Sequence, residues 1–142
     1  MGKTYQSIVI NAPVEDVWRA VRDFHDMSYA PNVFTSVEDA GDHPGDEVGA
    51  VRILNGAFVE TLLELDDEGR TFCYSIDDGP SPVSKDEVKD YVGRMRVSPT
   101  EGGASTLVEW SSSWEPCESD EAVYDFCHGV YVAALDDMKK SL

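Results

Sequence analysis

From Phe34 to Glu115 the chain is a run of short alternating segments separated by turn signals, and Pro116 closes the run before a long amphipathic stretch. That order constrains the fold more than any motif does. Phe34–Asp39, Glu47–Leu54, Phe58–Leu65, Arg70–Asp77, Glu87–Ser98 and Ser105–Glu115 each read as a strand. Asn55-Gly56 supplies the positive φ angles of a tight hairpin, Asp66 to Gly69 a second turn, Pro80-Ser81-Pro82 a longer loop, and Gly102-Gly103 the last turn. Beyond Pro116, Asp120 to Leu142 predicts one long helix. Ser119 suits its cap, Asp120-Glu121 the positive end of its dipole, and Lys139-Lys140 the negative end.

Upstream, Thr4 to Asn11 reads as a first strand. Pro13 fits the first turn of a helix, where its missing N–H costs nothing, and Val14, Val17, Trp18 and Val21 form a buried stripe. Phe24 to Tyr29 is a candidate second short helix, ended by Pro31. The order is strand, one or two short helices, six strands, long helix. Hairpins segregated from helices indicate an α+β fold. The expectation is one domain over 1–142, a seven-stranded curved antiparallel sheet wrapped around the C-terminal helix, with an apolar cavity between them.

Alternation assigns faces where it is clean. Phe72, Tyr74 and Ile76 share one face of their strand; Tyr91, Gly93, Met95 and Val97 point inward because Arg94 and Arg96 want water. Thr106, Val108, Trp110, Ser112 and Trp114 form the inner face of the last strand. On the long helix Val123, Phe126, Val130, Ala134 and Met138 make a stripe that Cys127, Tyr131 and Leu135 broaden. One hairpin stays open: a two-residue Asn55-Gly56 turn pairs Ile53 with Phe58 and puts Arg52 and Glu60 on opposite faces. Alternation does not decide which of the two points in, or whether both sit solvated at the rim. A buried charge would be the obvious ligand anchor, because it is costly without a partner.

The chain carries 28 acidic against 11 basic residues, a net charge of -17, with no basic stripe. Such a surface repels phosphate backbones and anionic headgroups, so neither nucleic acid nor stable membrane association is expected. Its 42% hydrophobic content is ordinary for a globular protein. Met1-Gly2-Lys3-Thr4-Tyr5 lacks a signal peptide's apolar stretch, and Cys73, Cys117 and Cys127 show no metal-like pair. They read as reduced thiols of a cytoplasmic protein, a monomer or homodimer, without metal or cofactor.

No HExxH, GxSxG, P-loop or GxGxxG motif is present. His25, His43 and His128 are scattered; His43 stands in a turn, and His128 flanks the helix's inward stripe. Tyr74, Tyr91 and Tyr131 remain as polar handles that can donate to a ligand carbonyl or act as general acids. The ligand-binding candidates are Arg52, Glu60, Phe72, Tyr74, Ile76, Tyr91, Met95, Trp110, Phe126, Val130 and Ala134. Glu60 and Tyr91 are the catalytic candidates. The helix itself reads as a lid of packing residues, with Gly129 allowing close approach to the sheet, so specificity is expected from the strands.

The stretches Ile8-Val9-Ile10-Asn11-Ala12-Pro13-Val14-Glu15-Asp16-Val17-Trp18, Gly49-Ala50-Val51-Arg52, Glu60-Thr61-Leu62-Leu63-Glu64-Leu65-Asp66, Tyr74-Ser75-Ile76 and Thr106-Leu107-Val108-Glu109-Trp110 together resemble the START/birch-pollen-allergen-like (SRPBCC) superfamily, in its polyketide cyclase/dehydrase branch. The resemblance implies a helix-grip fold and a cavity for a small hydrophobic ligand: a lipid, polyketide or aromatic metabolite. It implies binding or transport first, and cyclase or dehydratase chemistry as the alternative. Val48 to Ser98 is most similar to the plant abscisic-acid receptors. Those place polar floor residues near Ser36, Glu60, Tyr91 and Trp110, which favours an inward Glu60 and an inward Arg52, while the shorter hairpin argues against placing both inside. Ser36 stands where their carboxylate-binding lysine lies, and the Leu54–Phe58 hairpin is shorter than their gate, so that receptor role is not expected.

Overall fold

The computed structural model describes residues 2–142; Met1, the first residue of the amino-terminal stretch read above, lies outside them. Strand β1 (Gly2–Ile10) leads into helix α1 (Val14–Val21), followed by β2 (Val37–Ala40), β3 (Val51–Leu54), β4 (Phe58–Asp66), β5 (Thr71–Asp78), β6 (Val92–Pro99), β7 (Thr106–Trp114) and helix α2 (Asp120–Ser141). The strands form one seven-stranded sheet in the order β1-β7-β6-β5-β4-β3-β2, antiparallel throughout. Each hairpin neighbour in sequence is a neighbour in space, and β1 closes on β7. α2 packs across the concave face, which gives the helix-grip fold.

Curvature comes from two irregularities between β4 and β5. The register steps between Val59 and Glu60 and again between Leu62 and Glu64. An extra residue in one strand bends it and breaks the in-out alternation. Leu62 is therefore buried, Leu63 exposed, and Leu65 partly covered again. On β7 alternation holds without a break: Thr106, Val108, Trp110, Ser112 and Trp114 are all buried. Gly93 makes a further contribution. A Cβ there would lie 2.3 Å from Cζ of Tyr74, its cross-strand partner, so the missing side chain lets that ring lie flat over β6.

α2 is fastened at both ends. At its start Asp120 Oδ1 accepts hydrogen bonds from the Trp114 indole and the Cys117 backbone, each 3.0 Å long. Ser119 is the capping residue by position, but its side chain makes no capping bond, contrary to expectation. Asp120 ties the helix start to the preceding segment, and among the described residues caps none of the helix's own N–H groups. Near its end Asp137 accepts two 2.8 Å bonds from Asn32, one from the backbone and one from the side chain, and Ser141 donates to the Tyr29 carbonyl. Gly129 is exposed, and a Cβ there would meet nothing within 4 Å. It does not serve close approach to the sheet.

Three segments depart from the sequence reading. The second short helix over Phe24–Tyr29 does not form. Asp23 and Asp26 instead accept backbone N–H groups two residues on, from His25 and Ser28, at 2.9 Å each. Such local turns compete with helix formation. The segment nevertheless buries Phe24, Met27, Tyr29 and Ala30. β3 starts only at Val51, because Glu47 to Ala50 turns, with Gly49 at φ 99°. β6 starts at Val92, after a turn closed by Ser84 O accepting from Glu87 N and Val88 N.

Candidate functional site

The β3–β4 hairpin decides which charges face inward. Asn55 and Gly56 both have positive φ, as expected, but Ala57 is an additional loop residue and Leu54 pairs with Phe58. That one-residue shift places Arg52 directly opposite Glu60. The two-residue turn had put them on opposite faces. Both point into the concave side, and both are almost fully buried, at 1% and 4% exposure. Neither sits solvated at a rim.

The two form a cross-strand ion pair. Glu60 Oε1 accepts from Arg52 Nε at 2.8 Å and lies 2.7 Å from Nη2. Nη1 donates to the Phe24 carbonyl and to Met27 Sδ, and the guanidinium carbon stands 3.8 Å from the centre of the Phe24 ring. Cation–π contact and charge-assisted bonds together hold the guanidinium in place. Burial lifts the Glu60 carboxyl above the usual carboxylate range, and Arg52 opposes the rise. Arg52 loses hydration too, but Glu60, together with Tyr29 and Tyr74, more than offsets this and keeps the guanidinium charged. Glu60 Oε2 has no hydrogen bond among the described residues, although the side chain is buried.

Above this pair lies a chain of aromatic hydroxyls. The Trp110 indole donates to Tyr74 Oη at 3.0 Å; Tyr74 Oη is 2.9 Å from Tyr131 Oη, which is 2.6 Å from Tyr91 Oη. β5, β7 and α2 thus meet at one point. Burial pushes all three phenols well above their ordinary value of 10.0, so they keep their protons at neutral pH. They act there as hydrogen-bonding groups, not as bases. Burial likewise raises Cys127 to about 11, which keeps it an unreactive thiol.

A pocket opens between the sheet and α2, with the ion pair on its lining. Of the sequence candidates, Arg52, Glu60, Tyr74, Ile76, Trp110, Phe126 and Val130 line it. Phe72, Met95 and Ala134 are buried in the surrounding core, and Tyr91 is not on the lining but bonds to Tyr131, which is. Phe34, Leu54, Phe58, Cys127 and Tyr131 also line it. The first three were hidden by the open register question and by an irregular segment. Tyr131 was legible from its place on the helix stripe. Its contribution means that α2 is more than a lid of packing residues.

The cavity is far smaller than the sequence suggested. Its free volume is about 20 Å³, room for roughly one water. Pockets that hold drug-sized molecules measure about 300–1,000 Å³. At the solvent side the Phe58 and Phe126 rings stack with centroids 6.0 Å apart, and both residues are partly exposed. Both line the pocket. The histidines stay outside: His43 pairs with Glu47, His25 meets the Val51 carbonyl, and His128 meets Gln6 Oε1 at 3.0 Å. Among the described residues no cluster of His, Cys, Asp or Glu is arranged to hold a metal, and no helix is long and apolar enough to cross a membrane.

Comparison with known proteins agrees with this architecture. A protein of Nitrosospira multiformis with a solved structure is 44% identical, superposes with a TM-score of 0.93, and is matched over 97% of this chain and 94% of its own. The protein XoxI of Bacillus cereus is 28% identical with a TM-score of 0.80, over 99% of this chain and 94% of that one. Norcoclaurine synthase of Thalictrum flavum shares the fold at 18% identity, with a TM-score of 0.72 over 97% and 84% of the two chains. No protein of curated function matches the sequence. The family described as polyketide cyclase/dehydrase and lipid transport matches residues 1–142 from end to end. The chain therefore belongs to the polyketide cyclase/dehydrase and lipid-transport family, within the SRPBCC superfamily.

Proposed function

We propose that this protein binds a small amphipathic molecule carrying an aromatic ring, lodged between the sheet and α2. The observation that carries the reading is the buried Arg52–Glu60 pair set beneath an aromatic lining of Phe34, Phe58, Tyr74, Trp110 and Phe126. A buried ion pair is weak evidence for stability, since apolar residues of the same volume would serve as well or better. Its place on a pocket wall, with one carboxylate oxygen unpaired, suits orienting a ligand. The plant synthase on the same fold was solved with dopamine and hydroxybenzaldehyde, each a single aromatic ring with polar substituents.

The small free volume makes binding a matter of opening. Phe58 and Phe126 swing apart, and the ligand takes up the space that their rings and the void vacate. The protein therefore acts as a binder or carrier whose empty state is closed. A thermal-shift screen of single- and double-ring aromatics, flavonoids and lipids tests this. A ligand at 100 times its Kd stabilises the native state by about 2.7 kcal/mol. Aromatic members are expected to raise the Tm; a screen in which none does contradicts the reading.

One observation favours a second reading, a cyclase or dehydratase. Glu60 combines a raised pKa with an unpaired oxygen beside the pocket, which suits proton transfer next to a carbonyl. If Glu60→Gln left turnover of polyketide-like substrates unchanged, Glu60 would lose that role.

A further inference from the structure

The polar atoms of the pocket lining are unequally satisfied. Every phenol oxygen of the Tyr74–Tyr131–Tyr91 chain already has a partner, and so has the Trp110 indole. Arg52 has each of its three nitrogens engaged, with Glu60, the Phe24 carbonyl or Met27 Sδ. Glu60 Oε1 accepts from Arg52 Nε and lies within ion-pair distance of Nη2. Glu60 Oε2 is left as the side-chain oxygen or nitrogen of the lining without a hydrogen bond among the described residues, on a residue only 4% exposed. Oε2 is an acceptor on an anion, and since no buried side-chain oxygen or nitrogen among the described residues lacks a partner, this unpaired atom is open to the pocket.

We infer that the pocket selects ligands whose polar end donates a hydrogen bond to Glu60 Oε2, and that it discriminates against carboxylates. The inference rests on the binding reading above and adds the class of head group. A hydroxyl or ammonium group supplies the missing donor. An ether or ester brings only acceptors to an acceptor, and leaves Oε2 unpaired in a site from which water has been displaced. A carboxylate brings a second negative charge against Glu60, and Arg52 is already turned to its own partner. The like-charge repulsion acts in a low-dielectric, aromatic-walled space, where it is strong. The protein's net charge of -17 disfavours approach of an anion as well.

Three probes with the same two-ring body separate these terms: 2-naphthol, 2-methoxynaphthalene and 2-naphthoate, each titrated calorimetrically into the full chain at pH 7. 2-Naphthol is expected to bind about tenfold tighter than 2-methoxynaphthalene, the ratio set by one hydrogen bond to a charged acceptor. 2-Naphthoate is expected to bind more weakly than both. Glu60→Gln retains an oxygen for Arg52 and turns an N–H₂ group toward the pocket, so in this variant 2-methoxynaphthalene gains on 2-naphthol. If that variant does not fold, the wild-type ranking decides alone. Tightest binding by 2-naphthoate, or affinities for all three within twofold, overturns the head-group inference and leaves the binding reading standing. Failure of all three to bind overturns both.

Discussion

At the scale of single residues, the Arg52–Glu60 pair is the least replaceable feature by halves and among the most replaceable as a whole. Arg52→Met strands a carboxylate at a buried position and is expected to cost about 3–5 kcal/mol of stability. The double variant Arg52→Met, Glu60→Leu leaves no stranded charge and is expected to return to within about 2 kcal/mol of the parent, or above it. Urea denaturation of the two variants checks this; equal losses in both would show that the pair itself is worth its full Coulombic energy. The phenols give a second prediction at this scale. Burial raises Tyr74, Tyr91 and Tyr131 well above 10.0, and Tyr29 to about 12. Because the folded values are raised, the stability tied to these groups is complete below pH 10 and is lost as pH climbs through the folded values. Absorbance at the tyrosinate band should therefore show these four ionising only together with alkaline unfolding. Reversible ionisation of all the tyrosines near pH 10 would contradict their burial.

The elements show what could be read in advance and what could not. β7 was fully legible, because Thr106, Val108, Trp110, Ser112 and Trp114 alternate without interruption against neighbours that, Leu107 apart, are polar. α2 was legible from its stripe and its end charges. The β3–β4 hairpin was not. Asn55-Gly56 signals a tight turn whether or not Ala57 joins the loop, and one residue of slip moves every side chain to the other face. Nor did periodicity reveal the irregularities in β4 and β5, since Leu62-Leu63-Glu64-Leu65 satisfies either parity. The segment from Phe24 to Tyr29 misled for a different reason: its apolar spacing suits a helix, but Asp23 and Asp26 offer the backbone a turn. Two glycines test these element-level accounts in opposite directions. Gly129→Ala, on an exposed helical surface with open space around it, should stabilise the protein by about 1 kcal/mol. Gly93→Ala drives a methyl group into the Tyr74 ring and should destabilise by about 1–3 kcal/mol, the usual range for overpacking. Thermal denaturation of both variants checks the pair.

For the molecule as a whole, the sequence carried the architecture but not the state of the cavity. Aromatic, inward-facing residues predict a lined space; whether their rings line it or fill it depends on packing between elements distant in the chain. Here Phe58 from β4 and Phe126 from α2 meet at 6.0 Å and leave about 20 Å³ behind them. Phe126→Ala removes one ring of that stack. It should cost less than the roughly 3–5 kcal/mol of a fully buried Phe→Ala change, because Phe126 is already partly exposed, and it should speed ligand association. Stopped-flow binding with 2-naphthol reads the rate; an unchanged rate would place the mouth elsewhere.

The central claim is that a closed aromatic pocket beside the Arg52–Glu60 pair opens to take a ligand. The most direct test follows the three indole N–H signals in a ¹⁵N–¹H correlation spectrum during titration with 2-naphthol. Trp110 donates inside the pocket to Tyr74, whereas Trp18 donates to Asp67 and does not line the pocket. A saturable shift of the Trp110 signal is expected while the Trp18 signal stays in place. A Trp110 signal that does not move at saturating 2-naphthol, or a shift confined to Trp18, would contradict that claim.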